Sequence, residues 1–372
     1  MATPSPDSVH ANLMDCVQTN LAVLADHHYG PDAHLNLGAQ LTFHWRHRSN
    51  ELPTVEPSLA KQIAAAEDLL GLVARDRATV AGPELFDWTA GRDLVYVVAD
   101  AYELPWVPYF GNQHMEHSFL LAPDCTVIDA YANETQWGTA APGTWKLCDQ
   151  QLCLPQAEVF HFEPTTLGLP RLTPSLDDGN VDGYIAAYER DPNRSRTVER
   201  LTLETWLLTR SRKLHAAFQQ VHGRPADDMA EHLRGWDSLS EQAYLAYRRV
   251  LRGRDEPPWL VGRLAELLAA DRAVFAVPTR AANAYSGPLT GDALRRAVAA
   301  IASAVLGVTE ARLLGGLEFT TLPRFSSFRL VEIIERLEDD LGVELDPADL
   351  VPENLHRVDD LCRIARQPGV RA

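Results

Sequence analysis

Two stretches dense in proline and glycine, "EPTTLGLPRLTPSLDDGN" (Glu163 to Asn180) and "VPTRAANAYSGPLTGD" (Val277 to Asp292), limit what this chain can fold into. Breaker residues at that density interrupt helical and strand hydrogen bonding alike, so both read as linkers, with cores forming on either side. The expectation is three domains, at 1–165, 175–278 and 288–372. A chain of 372 residues that is 46% hydrophobic and 23% charged has enough material for that many cores.

The first segment mixes two periodicities. Cys16 to His28 and "LAKQIAAAEDLLGLVARD" carry apolar residues at helical spacing, whereas "DLVYVVADAY", "HSFLLA" and "CTVIDAY" read as strands, the last two joined by a Pro123-Asp124 turn. Helix first and strands later is an α+β pattern. The middle segment, Val181 to Ala276, is helical throughout, with aromatics and leucines three and four residues apart, and reads as a bundle without chemistry of its own. The last segment opens with a helix from Asp292 to Leu306. It continues through "SFRLVEIIERLEDDLGVEL" to Gly342 and closes on a final helix near Cys362.

Charge and cysteine content exclude several classes. A net charge of −17 argues against a nucleic-acid partner, because neutralising phosphates needs a surplus of Lys and Arg. No apolar run approaches the roughly 18 to 20 residues of a membrane span, and the start lacks a secretory pattern, so a cytoplasmic protein is expected. Five cysteines without a CxxC pair suit reduced thiols. Cys148 and Cys153 lie close together, but no histidine pattern completes a zinc site around them, so no metal is expected there.

One cysteine stands apart. In "NLMDCVQTNLAVLADHHYG" Cys16 heads an apolar-periodic helix, where unpaired N–H groups favour a thiolate. A base and an orienting acceptor are available downstream in "YFGNQHMEHSFLLAPDCTVIDAY": His117 enters the first strand of a hairpin and Asp129 leaves the second, which brings them side by side. Asp129 would then fix the imidazole tautomer and leave the other nitrogen for the thiol. His114, three residues before His117, is assigned a substrate-side or structural place, and Asp100 the end of a strand or the wall of a cleft. Asp15 is expected to cap the helix or face solvent, since a carboxylate turned inward would raise the thiol pKa. For the oxyanion, the Cys16 N–H is one donor, and Gln18, Asn12 and His10 are all open as the second. Cys125, Cys148, Cys153 and Cys362 have no base nearby in sequence and read as packing residues.

Several of these segments resemble a known arrangement. The Cys16 helix ending "HHYG", "LNLGAQLTFHW", "DAYELPWVPYF" and the His114/His117 pair, over roughly Val9 to Glu163, resemble the papain-like N-terminal domain of the butirosin-biosynthesis acyltransferase family. The last segment resembles an acyl or peptidyl carrier protein, through the Asp292–Leu306 pattern, "SSFRLVEIIERLEDDLGVEL" and "ADLVPENLHRVDDLCRIA". That second resemblance implies a four-helix fold with 4′-phosphopantetheine on Ser327, at a helix start where backbone N–H groups suit a phosphodiester. Ser326 stands where the carrier family usually has aspartate, and Asp15 where the acyltransferase family often has histidine.

Together these resemblances imply an acyltransferase of specialised natural-product metabolism. An acyl or aminoacyl group would pass from a phosphopantetheine thioester through Cys16 to a small-molecule amine, with His117 and Asp129 assisting. The expected partners are the acyl thioester, the amine, a separate carrier protein, an acyl-loading enzyme and a phosphopantetheinyl transferase. Hydrolysis of carrier-bound acyl groups is the alternative with the same machinery, and a non-catalytic carrier-docking scaffold is the alternative suggested by Ser326. A peptidase would leave the carrier-like segment without a role.

Overall fold

The computed structural model describes residues 4–47, 51–147, 152, 154–276, 291–306, 308–322, 325, 329–330, 333–334, 336–337, 345 and 355–365. The chain divides into two compact units, Met1–Ala276 and Val277–Ala372. It is mixed α and β, as the segment patterns predict. No helix among the described residues is long and apolar enough to cross a membrane.

Among the described residues, ten strands belong to the first unit: β1 (Gln40–Thr42), β2 (Leu72–Val80), β3 (Val95–Asp100), β4 (Glu116–Leu121), β5 (Thr126–Asp129), β6 (Asn133–Thr135), β7 (Gly138–Ala140), β8 (Gly143–Lys146), β9 (Ala157–Pro164) and β10 (Ser175–Asp177). Six of them form an antiparallel sheet in the order β2-β9-β3-β4-β5-β8. Helix α1 (Cys16–Tyr29) packs on this sheet. It is buried nearly all round, including Val17, Leu21, Ala22, Val23, Leu24 and Ala25, which is the signature of a core helix rather than a surface one.

Helix α2 (Leu59–Leu70) starts on Ser58, whose hydroxyl accepts from the Lys61 N–H. It ends sooner than its sequence suggests. Gly71 adopts φ 64°, and a Cβ there would come within 3.1 Å of the Gly168 carbonyl, Pro170 and the Tyr29 hydroxyl. The left-handed turn stops the helix, and "LVARD", expected to continue it, becomes the start of edge strand β2, paired with β9. Helix α3 (Glu84–Asp87) is a single turn.

The middle segment forms α4 (Val181–Arg190), α5 (Arg194–Val221), α6 (Asp227–Val250) and α7 (Leu260–Phe275), with Trp236, Tyr184, Tyr188 and Leu264 in its core. These helices belong to the same compact unit as the sheet. Gly38 touches the α5 backbone so closely that a Cβ would lie 2.3 Å from the Leu214 carbonyl, and His215 Nδ1 is 2.6 Å from the Gly38 carbonyl oxygen. The Glu163–Asn180 stretch is correspondingly tied down rather than free. It finishes β9 and supplies β10, which pairs in parallel with β1.

In the second unit, α8 (Asp292–Leu306) and the closing helix Val358–Ala365 enclose Leu294, Val298, Ala302, Phe319, Ile333 and Leu361. Arg295 links these helices through an ion pair to Asp359. Ser326 and Ser327 lie outside the described residues, as do Cys148 and Cys153.

Candidate active site

The N-terminus of α1 is built by a reciprocal cap. Asp15 Oδ1 accepts from the Val17 and Gln18 N–H groups at 2.9 and 2.8 Å, and Gln18 Oε1 accepts from the Asp15 N–H. Cys16 is therefore the first residue of the helix, 7% exposed, with its Sγ donating to the Glu116 carbonyl at 3.3 Å. Burial pushes the thiol well up, and Asp15 and Asp129 push it in the same direction. Cys16 thus rests as a neutral thiol.

His117 and Asp129 come from the adjoining sheet. The β4–β5 register sets Leu120 opposite Ile128, so Phe119 faces Asp129, and His117 lies on the same face two residues along. His117 Nε2 is 2.7 Å from Asp129 Oδ2, and both side chains are buried. The sequence expectation that these two meet therefore corresponds to a short contact. Glu116, whose carbonyl receives the Cys16 thiol, immediately precedes His117. His117 Nδ1 is buried and has no hydrogen-bond partner. An imidazole with Nε2–H on a carboxylate and a bare Nδ1 has the tautomer of a general base.

Asp129 is held by four donors. His117 Nε2 and Trp106 Nε1 (3.0 Å) reach Oδ2, while the Tyr131 N–H (2.9 Å) and Asn20 Nδ2 (3.1 Å) reach Oδ1. Burial alone would raise its pKa, but the electrostatic pairing with His117 and these hydrogen bonds outweigh burial and hold the carboxyl below its ordinary value. Asn20, on α1, also donates to the Ser118 carbonyl and accepts from the Ala130 N–H, so one side chain locks β4 and β5 to the helix that carries Cys16. Ser118 Oγ donates back to the Cys16 carbonyl at 2.6 Å.

Helix α5 also reaches this region. Arg210 donates to the Ala11 and Met14 carbonyls just before Cys16 and to the Ala132 carbonyl just after β5. Its guanidinium lies over the Trp206 ring at 4.2 Å, and Trp206 Nε1 donates to Asn133 Oδ1. The helical segment read as chemically silent therefore braces both sides of the Cys16 helix start. The buried hydroxyls of Tyr109 and Tyr131 are 3.3 Å apart, and the Tyr131 ring packs edge-on against His117.

The other sequence candidates scatter. His114 is exposed, 2.6 Å from Asp100 at the end of β3, and stacks on Tyr102. Of the three oxyanion candidates, His10 turns to His34 and Asn12 is exposed, whereas Gln18 accepts in the cap through Oε1 and keeps its Nε2 as a donor at the α1 start. Cys125 sits at the β4–β5 turn with φ 66°, and Cys362 is buried in the second unit. Asn20, Trp106, Trp206 and Arg210 are absent from the sequence candidates. Trp106 lies within the singled-out stretch "DAYELPWVPYF", but linear spacing carries no signal for Arg210, which lies 194 positions after Cys16.

A cavity of about 440 Å³ opens beside the α1 start, with Asp15, Gln18, Lys61, Glu56, Arg46 and Arg210 among the residues on its wall. Side chains of both charge signs line it. The chain matches no family model, and no curated protein matches it either.

Proposed function

We propose that this chain is a cysteine-dependent acyltransferase acting on pantetheine-bound acyl or aminoacyl groups, in a papain-like arrangement akin to the butirosin-biosynthesis acyltransferases. Its second unit is read as a carrier domain with 4′-phosphopantetheine on Ser327. One observation carries the catalytic half: a buried His117 whose Nε2 is committed to Asp129 and whose Nδ1 is free, with Cys16 at the adjoining helix start.

On this reading Cys16 Sγ passes its proton to His117 Nδ1 and attacks the thioester carbonyl carbon. The Cys16 N–H stabilises the developing oxyanion, and the carbon–sulfur bond to pantetheine breaks as that sulfur leaves with the proton from His117. An amine then attacks the Cys16 thioester. Its proton returns through His117 to Cys16 Sγ, giving an amide and the free thiol. Asp129 stays ionised throughout and orients the imidazole without taking its proton.

The test uses the full chain, treated with coenzyme A and a broad-specificity phosphopantetheinyl transferase, then an acyl donor and a panel of amines. Intact mass is expected to show the arm in wild type and not in Ser327→Ala, with amide product lost in Cys16→Ala. Absence of the arm removes the carrier reading, free acid as the sole product makes the protein a thioesterase, and turnover in Cys16→Ala removes the nucleophile.

A further inference from the structure

A second cluster of chemistry-bearing side chains lies outside the Cys16 site. His10, in the segment leading to the catalytic helix, His34, in the 3₁₀ stretch Ala33–Gly38, and Asp32 bring one imidazole nitrogen or carboxylate oxygen each within 4.8 Å of one another. His34 is fully buried, whereas His10 and Asp32 are exposed. We propose that these three residues bind a divalent transition-metal ion, with zinc(II) the best fit.

The donor geometry favours this reading. His10 Nδ1 and His34 Nε2 face each other at 3.1 Å. Two nitrogens on one tetrahedral zinc at 2.0–2.1 Å each would stand about 3.3 Å apart, so the pair already has the spacing of two ligands. The supporting shell is present as well. Asp26, at the end of the buried run of α1, accepts from the His34 N–H through Oδ1 (2.9 Å) and binds His34 Nδ1 through Oδ2 (2.8 Å). A carboxylate on Nδ1 fixes the tautomer whose Nε2 lone pair points outward, which is the arrangement usual behind metal-bound histidines.

At present that lone pair meets the His10 backbone N–H (3.2 Å) and the His10 ring. Metal capture shifts the His10 ring proton from Nδ1 to Nε2, and the ion takes the place of both hydrogen bonds at His34 Nε2, turning the His10 backbone N–H away to solvent. Two imidazoles and one carboxylate form a borderline donor set that suits zinc and its neighbours over magnesium or calcium, with a fourth position left for water. The ion would pin residues 10–13 to α1 through His34 and Asp26, and thereby steady the approach to Cys16.

Calorimetric titration of the full, chelator-treated chain with zinc chloride tests the proposal, with cobalt(II) as a spectroscopic probe. One equivalent is expected at micromolar affinity or tighter, with a raised melting temperature and a cobalt spectrum lacking thiolate charge transfer, which separates this site from any cysteine site. His10→Ala and Asp32→Asn, both at exposed positions, should each weaken binding at least tenfold while keeping the wild-type far-UV circular dichroism. Asp26→Asn should weaken it by about 10- to 100-fold. No binding above the level of the double variant His10→Ala/Asp32→Asn, or a thiolate-bearing cobalt spectrum, would overturn the assignment.

Discussion

Replacing Asp15 by Asn separates the two roles of that residue. Asn caps a helix about as well as Asp, so the α1 start survives the change. The charge, however, is costly where it sits. Burial pushes the Asp15 carboxyl from an ordinary 3.8 up to about 6, against the opposing pull of the Gln18 and Val17 N–H groups and of Arg210. A carboxyl raised in the folded state binds its proton more tightly there. Its contribution is stabilising below about pH 4 and is withdrawn as pH rises through 6, after which folding carries the cost of the partly buried charge. At 1.36 kcal/mol per pH unit that cost is at most about 3 kcal/mol, and the lost attraction to Arg210 returns part of it. The new amide also has a partner, because Gln62 Oε1 is buried without one while Gln62 Nε2 now donates to Asp15 Oδ2. Asp15→Asn should therefore stabilise the first unit by about 1–3 kcal/mol at pH 7.5 and by almost nothing at pH 4. All eight tryptophans fall within Met1–Ala276, so urea titration followed by tryptophan fluorescence reports this unit alone. Removing the neighbouring negative charge should also lower the pH midpoint for iodoacetamide alkylation of Cys16. An equal stability difference at both pH values, or an alkylation midpoint that stays put, would refute the electrostatic argument.

Other substitutions probe the framework. Asp129→Asn sets one NH2 against donors in either orientation, because each carboxylate oxygen already receives two. A loss of about 2–6 kcal/mol in urea melts and at least a 100-fold slower acylation are expected, and a neutral result would break the four-donor account. Arg210→Met strands the Ala11, Met14 and Ala132 carbonyls. It should cost about 2–4 kcal/mol and slow acylation, whereas full acylation with the stability loss would make Arg210 purely structural.

The hairpin of β4 and β5 was readable because strand alternation and a short turn fix which residues share a face, and that placed His117 beside Asp129 from a dozen residues of sequence. Helix α1 and the four helices from Val181 to Phe275 were readable for the same kind of reason, through apolar spacing. The misread elements depend on partners distant in sequence. Strand β2 looks like the tail of α2 until β9 pairs with it, and the Glu163–Asn180 stretch looks like a linker until β10 meets β1. Arg210 escaped for the opposite reason: on a helix its charge reads as a solvated face, and only packing against the carbonyls around Cys16 gives it a role. The His34–Asp26 pair was equally hidden, since its eight-residue separation matches no local periodicity.

The claim that Cys16 is a nucleophile served by His117 is tested most directly by rapid-quench acylation with an acyl-pantetheine thioester, followed by peptide mapping of the adduct. The acyl group should appear on the peptide containing Cys16, vanish in Cys16→Ala, and form at least 100-fold more slowly in His117→Ala. An adduct on another residue, or one that forms at the wild-type rate in His117→Ala, would contradict the account.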